Sequence, residues 1–303
     1  LMSINEKIYE LPVRLKIVEG DYNVKVWLPG FQPIERKIHV YKEMKRLTFK
    51  LEEKKYRLLL GFHGEVEIDG KNIGRTPTAV YVKEGVHILK FCSRFGTWYK
   101  MICVTGDSTV TVDTRKGSLV LPDVGKVLVN GVEVVTPAIL NLDPGSYTVD
   151  LLGTKEKVNI ESGKVYIIPS GFGVLTVTSL PDGLDFSLNG KKLLTPIYLY
   201  PVLPGEKEVT FEKGCAIWKK NVNITEGAIS FLRLELPLYN IVKVTDIRNC
   251  EIIVDGERVE EVASLNIGFH LLHLKCGDKI VLTPFCYTGN VRDLPFPLGG
   301  ELR

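Results

Sequence analysis

Glu65-Val66-Glu67-Ile68-Asp69-Gly70, followed by Gly74-Arg75-Thr76-Pro77 and then Glu84-Gly85, is the stretch whose reading decides the fold of this 303-residue chain. Val66 and Ile68 alternate with charged residues, the period-2 pattern of a half-buried strand. Asp-Gly accepts positive φ at both central positions of a two-residue hairpin turn. Pro77 removes a ladder donor and holds Thr76 extended, which marks the entry to another strand. Gly85 then turns the chain into a further alternation, Val86-His87-Ile88-Leu89-Lys90-Phe91.

The same phrase recurs along the chain. Asn130-Gly131, Asn189-Gly190 and Asp255-Gly256 stand where Asp69-Gly70 stands, and the four turn glycines are 61, 59 and 66 residues apart. Thr136-Pro137 and Thr195-Pro196 repeat Thr76-Pro77, and Gly145, Gly205 and Gly268 repeat Gly85. At the front, Leu11-Pro12 precedes Glu19-Gly20 and the alternation Tyr22 to Trp27, so the chain is expected to open in the middle of a repeat, without its first two strands. A fixed period means one small unit used several times. The expected modules are residues 1–52 (partial), 53–116, 117–169, 170–236 and 237–303, the last with an extended C-terminal tail. A unit of ~60 residues is marginal alone, so neighbours are expected to pack or share sheets. No helix is expected; the stretch richest in helix formers contains Leu47-Thr48-Phe49-Lys50-Leu51, which alternates as a strand does.

Composition narrows the function. The 39 basic and 36 acidic residues leave a net charge of +3 without a long block of one sign, which argues against a nucleic-acid partner. No apolar run is long enough for a membrane-spanning helix, and no basic-then-apolar leader is visible at the N-terminus. One glutamine and three methionines among abundant Lys and Glu is a hyperthermophile-like composition, and points to a thermophilic archaeal or viral source.

Ser179-Leu180-Pro181-Asp182-Gly183-Leu184, then Phe186-Ser187-Leu188-Asn189-Gly190 and Thr195-Pro196, resembles the signature of PEGA repeat domains. The third copy has Leu121-Pro122-Asp123-Val124-Gly125, the second keeps Gly64 and Gly74 to Pro77, and the fifth lacks Thr-Pro. The resemblance covers most of the chain faintly and residues 117–236 best. It implies small β-sandwich modules used as spacers or binding modules in surface-associated proteins, and it carries no catalytic residues. The fold class expected is therefore all-β: tandem small β-sandwiches, immunoglobulin- or transthyretin-like, arranged as a string or rod.

No residue pattern points to an enzyme. Phosphate-binding loops, nucleophile elbows, zinc-protease helices and calcium loops are all missing from the sequence, so no catalytic, cofactor-binding or metal residues are assigned. His87 and His270 fall two residues after their marker glycines, where Tyr22, Tyr147 and Lys207 stand in other copies, and read as strand residues. His270 and His273 point to opposite faces of a strand.

Cys103 and Cys286 both lie 18 residues after the marker glycine, and Cys92 and Cys276 lie 7 and 8 after it. Adjacent strands thus carry two cysteines in both copies, which suggests disulfides Cys92–Cys103 and Cys276–Cys286, against the alternative of buried thiols filling a core. Cys215 and Cys250 have no equivalents, and Cys250–Cys276 is a competing pairing. Trp98 and Trp218, each 13 residues after a marker glycine, read as repeated packing residues.

The expected function is structural: a non-enzymatic subunit of an extracellular, cell-surface or virion assembly such as a surface layer, filament or appendage, needing no cofactor and partnered by copies of itself. An incomplete first module would expose an unpaired edge around Leu11 and Pro12, and the apolar, proline-rich Leu294-Pro295-Phe296-Pro297-Leu298 would be the segment laid across a neighbour. The alternative is an adhesin or carbohydrate-binding spacer that takes glycans or other surface proteins through loops such as Ser93-Arg94-Phe95-Gly96-Thr97-Trp98.

Overall fold

The computed structural model describes residues 2–9, 15, 17–28, 30–42, 47, 49–236, 240–243, 251–259, 262–265, 267–277 and 279–288. Among them every regular element is a strand, as the alternating patterns require. The chain divides into two compact units, one of residues 1–119, 139–147 and 157–166 and the other of 120–138, 148–156 and 167–303, so the third copy contributes to both.

Among the described residues one four-stranded antiparallel arrangement recurs five times, once with a fifth strand added, always with its strands in the spatial order second, first, third, fourth. The first two strands form a hairpin around a two-residue turn, and the next two form a longer hairpin after the marker glycine. Asp69, Asn130, Asn189 and Asp255 have φ of 50–51°, and the glycine that follows each has φ of 77–83°. This is the doubly left-handed turn that Asp-Gly and Asn-Gly favour.

In the first unit, Met2–Ile4, Lys7–Tyr9, Gly20–Val26 and Ile34–Val40 build the first such sheet. The expectation that the first copy lacks its opening two strands is therefore corrected. Met2–Ile4 pairs with Lys7–Tyr9 and with Gly20–Val26, around a turn in which Asn5 has φ 43° and Glu6 φ 74°. Glutamate where the other copies have glycine hid this hairpin, because a side chain rarely accepts that conformation. Met2, Ile4, Val24 and Val26 form its core, and Phe49 and Leu51 pack against them. The described residues of the Leu47 to Leu51 alternation form no strand.

The second copy departs from the pattern by fusion. Lys55–Ile68 and Lys71–Lys83, of 14 and 13 residues, each run through what are two separate strands in later copies. Their register shifts between Leu60 and Gly64, where an irregularity bends the ribbon so that it serves two layers. Ser108–Val110 adds in parallel beside Leu58–Leu60. Leu58, Leu60, Phe62, Val66, Leu89, Phe91 and Trp98 fill the core between.

The fourth copy, in the second unit, has the layers separate. Asp185–Leu188, Lys191–Leu194, Gly205–Lys213 and Ala216–Ile224 make the four-stranded sheet; Ile197–Val202, Gly173–Leu180 and Ile229–Glu235 make a three-stranded one, its last pair parallel. Leu175, Val177 and Leu234 from the smaller sheet meet Phe186, Leu188, Val209 and Phe211 from the larger, which makes the copy a two-layer sandwich. The third copy has the same two sheets, with Lys126–Val129, Val132–Val135, Gly145–Leu151 and Thr154–Ile160 in the larger and Ala138–Leu142, Gly117–Leu121 and Val165–Ile167 in the smaller. In the fifth, Glu251–Val254, Glu257–Val259, Gly268–Cys276 and Lys279–Tyr287 form the four-stranded sheet, and Asn240–Lys243 pairs with Val262–Leu265.

Candidate functional site

Four of the five repeats carry a latch at the residue two positions after the marker glycine, Tyr22, His87, Tyr147 or His270. Tyr22 donates its hydroxyl to the Val18 carbonyl at 2.9 Å, Tyr147 donates to Asp143 at 3.1 Å, and His87 Nε2 lies 2.9 Å from the Lys83 carbonyl oxygen, in each case four residues back. The turn residue of the first hairpin completes the latch. A side-chain oxygen of Asn5, Asp69, Asn130 and Asp255 accepts the backbone N–H of Asn23, Ile88, Thr148 and Leu271 respectively. Only a carboxylate has a second acceptor oxygen, and where the turn residue is Asp the latch residue is His: His87 Nδ1 stands 2.6 Å from Asp69 Oδ2, and His270 Nδ1 the same distance from Asp255 Oδ2. Asn5 and Asn130 go with Tyr22 and Tyr147. The histidines thus occupy a structural position.

The threonine of Thr-Pro is a second fastening. Thr76, Thr136 and Thr195 are all buried. Thr76 and Thr136 donate to the carbonyls of Gly64 and Gly125 at 3.1 and 2.8 Å, and Thr136 also accepts the Val124 N–H. Thr195 accepts the Leu184 N–H at 3.0 Å and bonds the Ser179 hydroxyl. The motif ties the glycine loop that opens the first hairpin to the strand after it.

Adjacent copies are joined by built contacts. Gly96–Val104 is an edge strand, and the main-chain N–H and C=O of Tyr99 that face outward are taken by the Ser118 hydroxyl at 3.0 Å and the Asn141 amide at 3.1 Å. Trp98, fully buried, donates its indole N–H to the Lys116 carbonyl at 2.6 Å. Thr97 N–H donates to Gly163, and a Cβ on Gly163, whose φ is +69°, would fall 2.5 Å from the Phe95 carbonyl oxygen. Burial pushes the Tyr99 phenol well above its usual value, and the charge of Glu67 and the Cys92 thiol push it further.

Between the fourth and fifth copies the joint is covalent. Cys215, in the turn of one long hairpin, is disulfide-bonded to Cys286 in the next, with Cα atoms 6.1 Å apart. This corrects the expected pairings. Cys92 and Cys103 are free, Cys276 is disulfide-bonded but not to Cys286, and Cys250 lies outside the described residues. Register gives the reason: Cys92 sits opposite Thr97 and Cys103 opposite Val86, so the two thiols are six residues apart along the ladder, about 20 Å. Cys276 opposite Lys279 and Phe269 opposite Cys286 separate the other pair in the same way. A disulfide needs Cα atoms within about 7 Å.

The other predicted site residues are placed as follows. Leu11, Pro12, Leu294, Pro295, Phe296, Pro297 and Leu298 lie outside the described residues. In the Ser93 to Trp98 loop, Trp98 is core, while Phe95 is exposed with the Arg94 guanidinium 4.6 Å from its ring centroid. Among the described residues no group of His, Cys, Asp and Glu is arranged to hold a metal ion, and no helix is long and apolar enough to cross a membrane. The latch and the covalent joint were missed by sequence reasoning. The pairing of Asp with His in two copies and of Asn with Tyr in two others is the signal that would have found the first.

Repeated sheets with fastened turns and stitched joints define a protein of tandem β modules. Residues 63–117 match the PEGA domain family. That segment is the second copy, which keeps Gly64, Gly74-Arg75-Thr76-Pro77 and Glu84-Gly85. No curated protein matches the chain. Similar solved structures include the N-terminal four Ig domains of Dscam1 isoform 6.9, at 10% identity over 76% of this chain and 96% of that one with a TM-score of 0.12. Another is the N-terminal four Ig domains of Dscam1 isoform 6.44, at 8% identity over 74% and 90% with a TM-score of 0.12. At that score the likeness carries no argument about this chain.

Proposed function

We propose that the chain is a non-enzymatic structural subunit of an extracellular assembly, a surface layer, filament or appendage, built from five modules at residues 1–52, 53–116, 117–169, 170–236 and 237–303. The observation that carries this reading is the stitched joint, the Cys215–Cys286 disulfide above all. A disulfide between copies fixes their spacing and suits an oxidising compartment. The PEGA match of residues 63–117 supports a surface-associated module. Negative-stain electron microscopy of the purified full chain tests it: filaments or lattices are expected, and separate particles at every concentration would sink the reading.

A second reading, an adhesin that takes a glycan, is favoured by one observation, the exposed Phe95 ring with Arg94 beside it. Aromatic and guanidinium planes suit the flat faces of sugars. Binding to a glycan array that is lost in Phe95→Ala, with no polymer by microscopy, would support it.

A further inference from the structure

The imidazole of His87 stands between two acceptors. Its Nδ1 lies 2.6 Å from Asp69 Oδ2, and its Nε2 lies 2.9 Å from the Lys83 carbonyl oxygen. A neutral imidazole has one N–H and one bare nitrogen. In that form one of the two contacts would set a nitrogen lone pair against an oxygen lone pair inside hydrogen-bond distance, at a residue only 9% exposed, where little water can relieve it. With a proton on both nitrogens, both contacts become donated hydrogen bonds. The remaining carboxylate oxygen, Asp69 Oδ1, accepts the Ile88 N–H at 2.9 Å, so both oxygens of Asp69 act as acceptors.

The charges near the ring support that form. From the first hairpin it meets the Asp69 carboxylate; from the facing strand, Gly96–Val104, the residue across the ladder is the uncharged Ile102. In the turn before Gly85, Lys83 is paired with Glu53, and Glu84 with Lys54 at 3.2 Å. Burial alone disfavours a charged imidazole. A carboxylate at 2.6 Å opposes that penalty, and the second acceptor at 2.9 Å, which neutral His could satisfy only by giving up the first, decides for the charged ring. Tyr22 and Tyr147 close the same loop with a phenol, a group whose ordinary titration lies near pH 10. The second copy thus uses a group that titrates near neutrality where the first and third use one that does not.

We propose that the Asp69–His87 latch is a proton-operated fastening, shut while both ring nitrogens of His87 carry protons and loosened when one proton leaves. The ring ties three segments of the second copy together: the turn of the first hairpin, the turn before Gly85, and the strand that His87 itself opens. Loss of a proton removes one of the two ties. The contribution is fully present below the ordinary imidazole value of about pH 6.5, where the unfolded ring is charged as well, and it falls as pH rises through the higher value of the folded ring. The first and third copies keep their latches over the same range, so a rise in pH loosens the second copy selectively.

Nitrogen-15 spectra of the imidazole rings in the full chain test this, with the His87 ring assigned through its own backbone so that the four other histidines do not enter. They can be recorded in solution or in the solid, so the outcome does not depend on whether the chain polymerises. At about pH 7, above the ordinary imidazole midpoint, both ring nitrogens of His87 are expected to be protonated. A ring with one protonated and one bare nitrogen at that pH overturns the inference. Hydrogen exchange gives the second readout. The Ile88 amide is bonded to Asp69, and the Thr148 amide at 2.8 Å to Asn130, which does not titrate. Between about pH 6 and pH 9, after correction for intrinsic exchange, protection at Ile88 is expected to fall about tenfold relative to Thr148, the loss of one charge-assisted hydrogen bond. A constant ratio overturns the device. In Asp69→Asn/His87→Tyr the ratio should stay constant, and the same fall there would overturn it too; should that variant not fold, both measurements on the natural chain still decide.

Discussion

His87 Nδ1 lies 2.6 Å from the carboxylate of Asp69, eighteen residues earlier, and His270 repeats the contact with Asp255. Where Asn5 and Asn130 occupy the turn, Tyr22 and Tyr147 occupy the latch, while Asn189 is matched by Lys207. The pairs are alternatives for one task, and exchanging them as pairs should be tolerated. Asp69→Asn or His87→Tyr alone is expected to cost about 1–2 kcal/mol, since each leaves a partner of the wrong kind. The double substitution should recover most of the loss, a coupling read from a double-mutant cycle by urea denaturation. Strict additivity of the two single losses would refute the pairing.

The buried threonines should rank by the bonds they satisfy. Thr195 serves both the Leu184 N–H and the Ser179 hydroxyl, whereas Thr76 donates to one carbonyl. Thr195→Val is expected to destabilise by about 2–3 kcal/mol and Thr76→Val by about 1 kcal/mol. Thermal melts of the two variants check the order.

Gly163 and Gly153 both have positive φ, but only at Gly163 does a Cβ meet backbone, 2.5 Å from the Phe95 carbonyl oxygen; nothing lies within 4 Å of one at Gly153. Gly153→Ala should cost only the conformational strain, about 1 kcal/mol. Gly163→Ala should cost more and loosen the Thr97 to Gly163 contact, seen as faster hydrogen exchange at the Thr97 amide. Equal effects from the two substitutions would contradict the close approach.

Mapping of the unreduced protein should yield a Cys215–Cys286 peptide and iodoacetamide label on exposed Cys103. Cys215→Ser/Cys286→Ser should lose about 4 kcal/mol by the loop-entropy estimate for residues 71 positions apart. A Cys92–Cys103 peptide from the folded protein would contradict the ladder register.

At alkaline pH the Tyr99 phenol, raised by burial, stays protonated in the folded chain after it would have ionised in the unfolded one. Its contribution is fully present below about pH 10, the ordinary phenol value, and is lost as pH rises above that. Tyr99→Phe should therefore flatten the alkaline limb of the stability profile.

What could be read from the sequence was what a local rule marks. Asp69-Gly70 and Asn130-Gly131 announced their turns because those residues accept positive φ, and Val66 and Ile68 announced a face by alternation. Asn5-Glu6 makes the same turn unannounced. The cysteines misled because distance from a marker glycine identifies equivalent strands but not the rung on which two residues meet. The rung is set where the hairpin turns, at Arg94-Phe95, which the spacing count passed over. The fused strands Lys55–Ile68 and Lys71–Lys83 were hidden for a related reason, since Thr76-Pro77 reads as a strand boundary and here lies inside a strand.

The bond between Cys215 and Cys286 also decides how the protein answers a pull. Tension applied at the two ends would pass from one cysteine to the other, and the chain between them, 71 positions and about 250 Å when drawn out, would carry no load. Reduction would release that hidden length. The fourth-to-fifth joint is thus a covalent stop on extension, and the redox state of the surroundings sets how far the molecule can stretch.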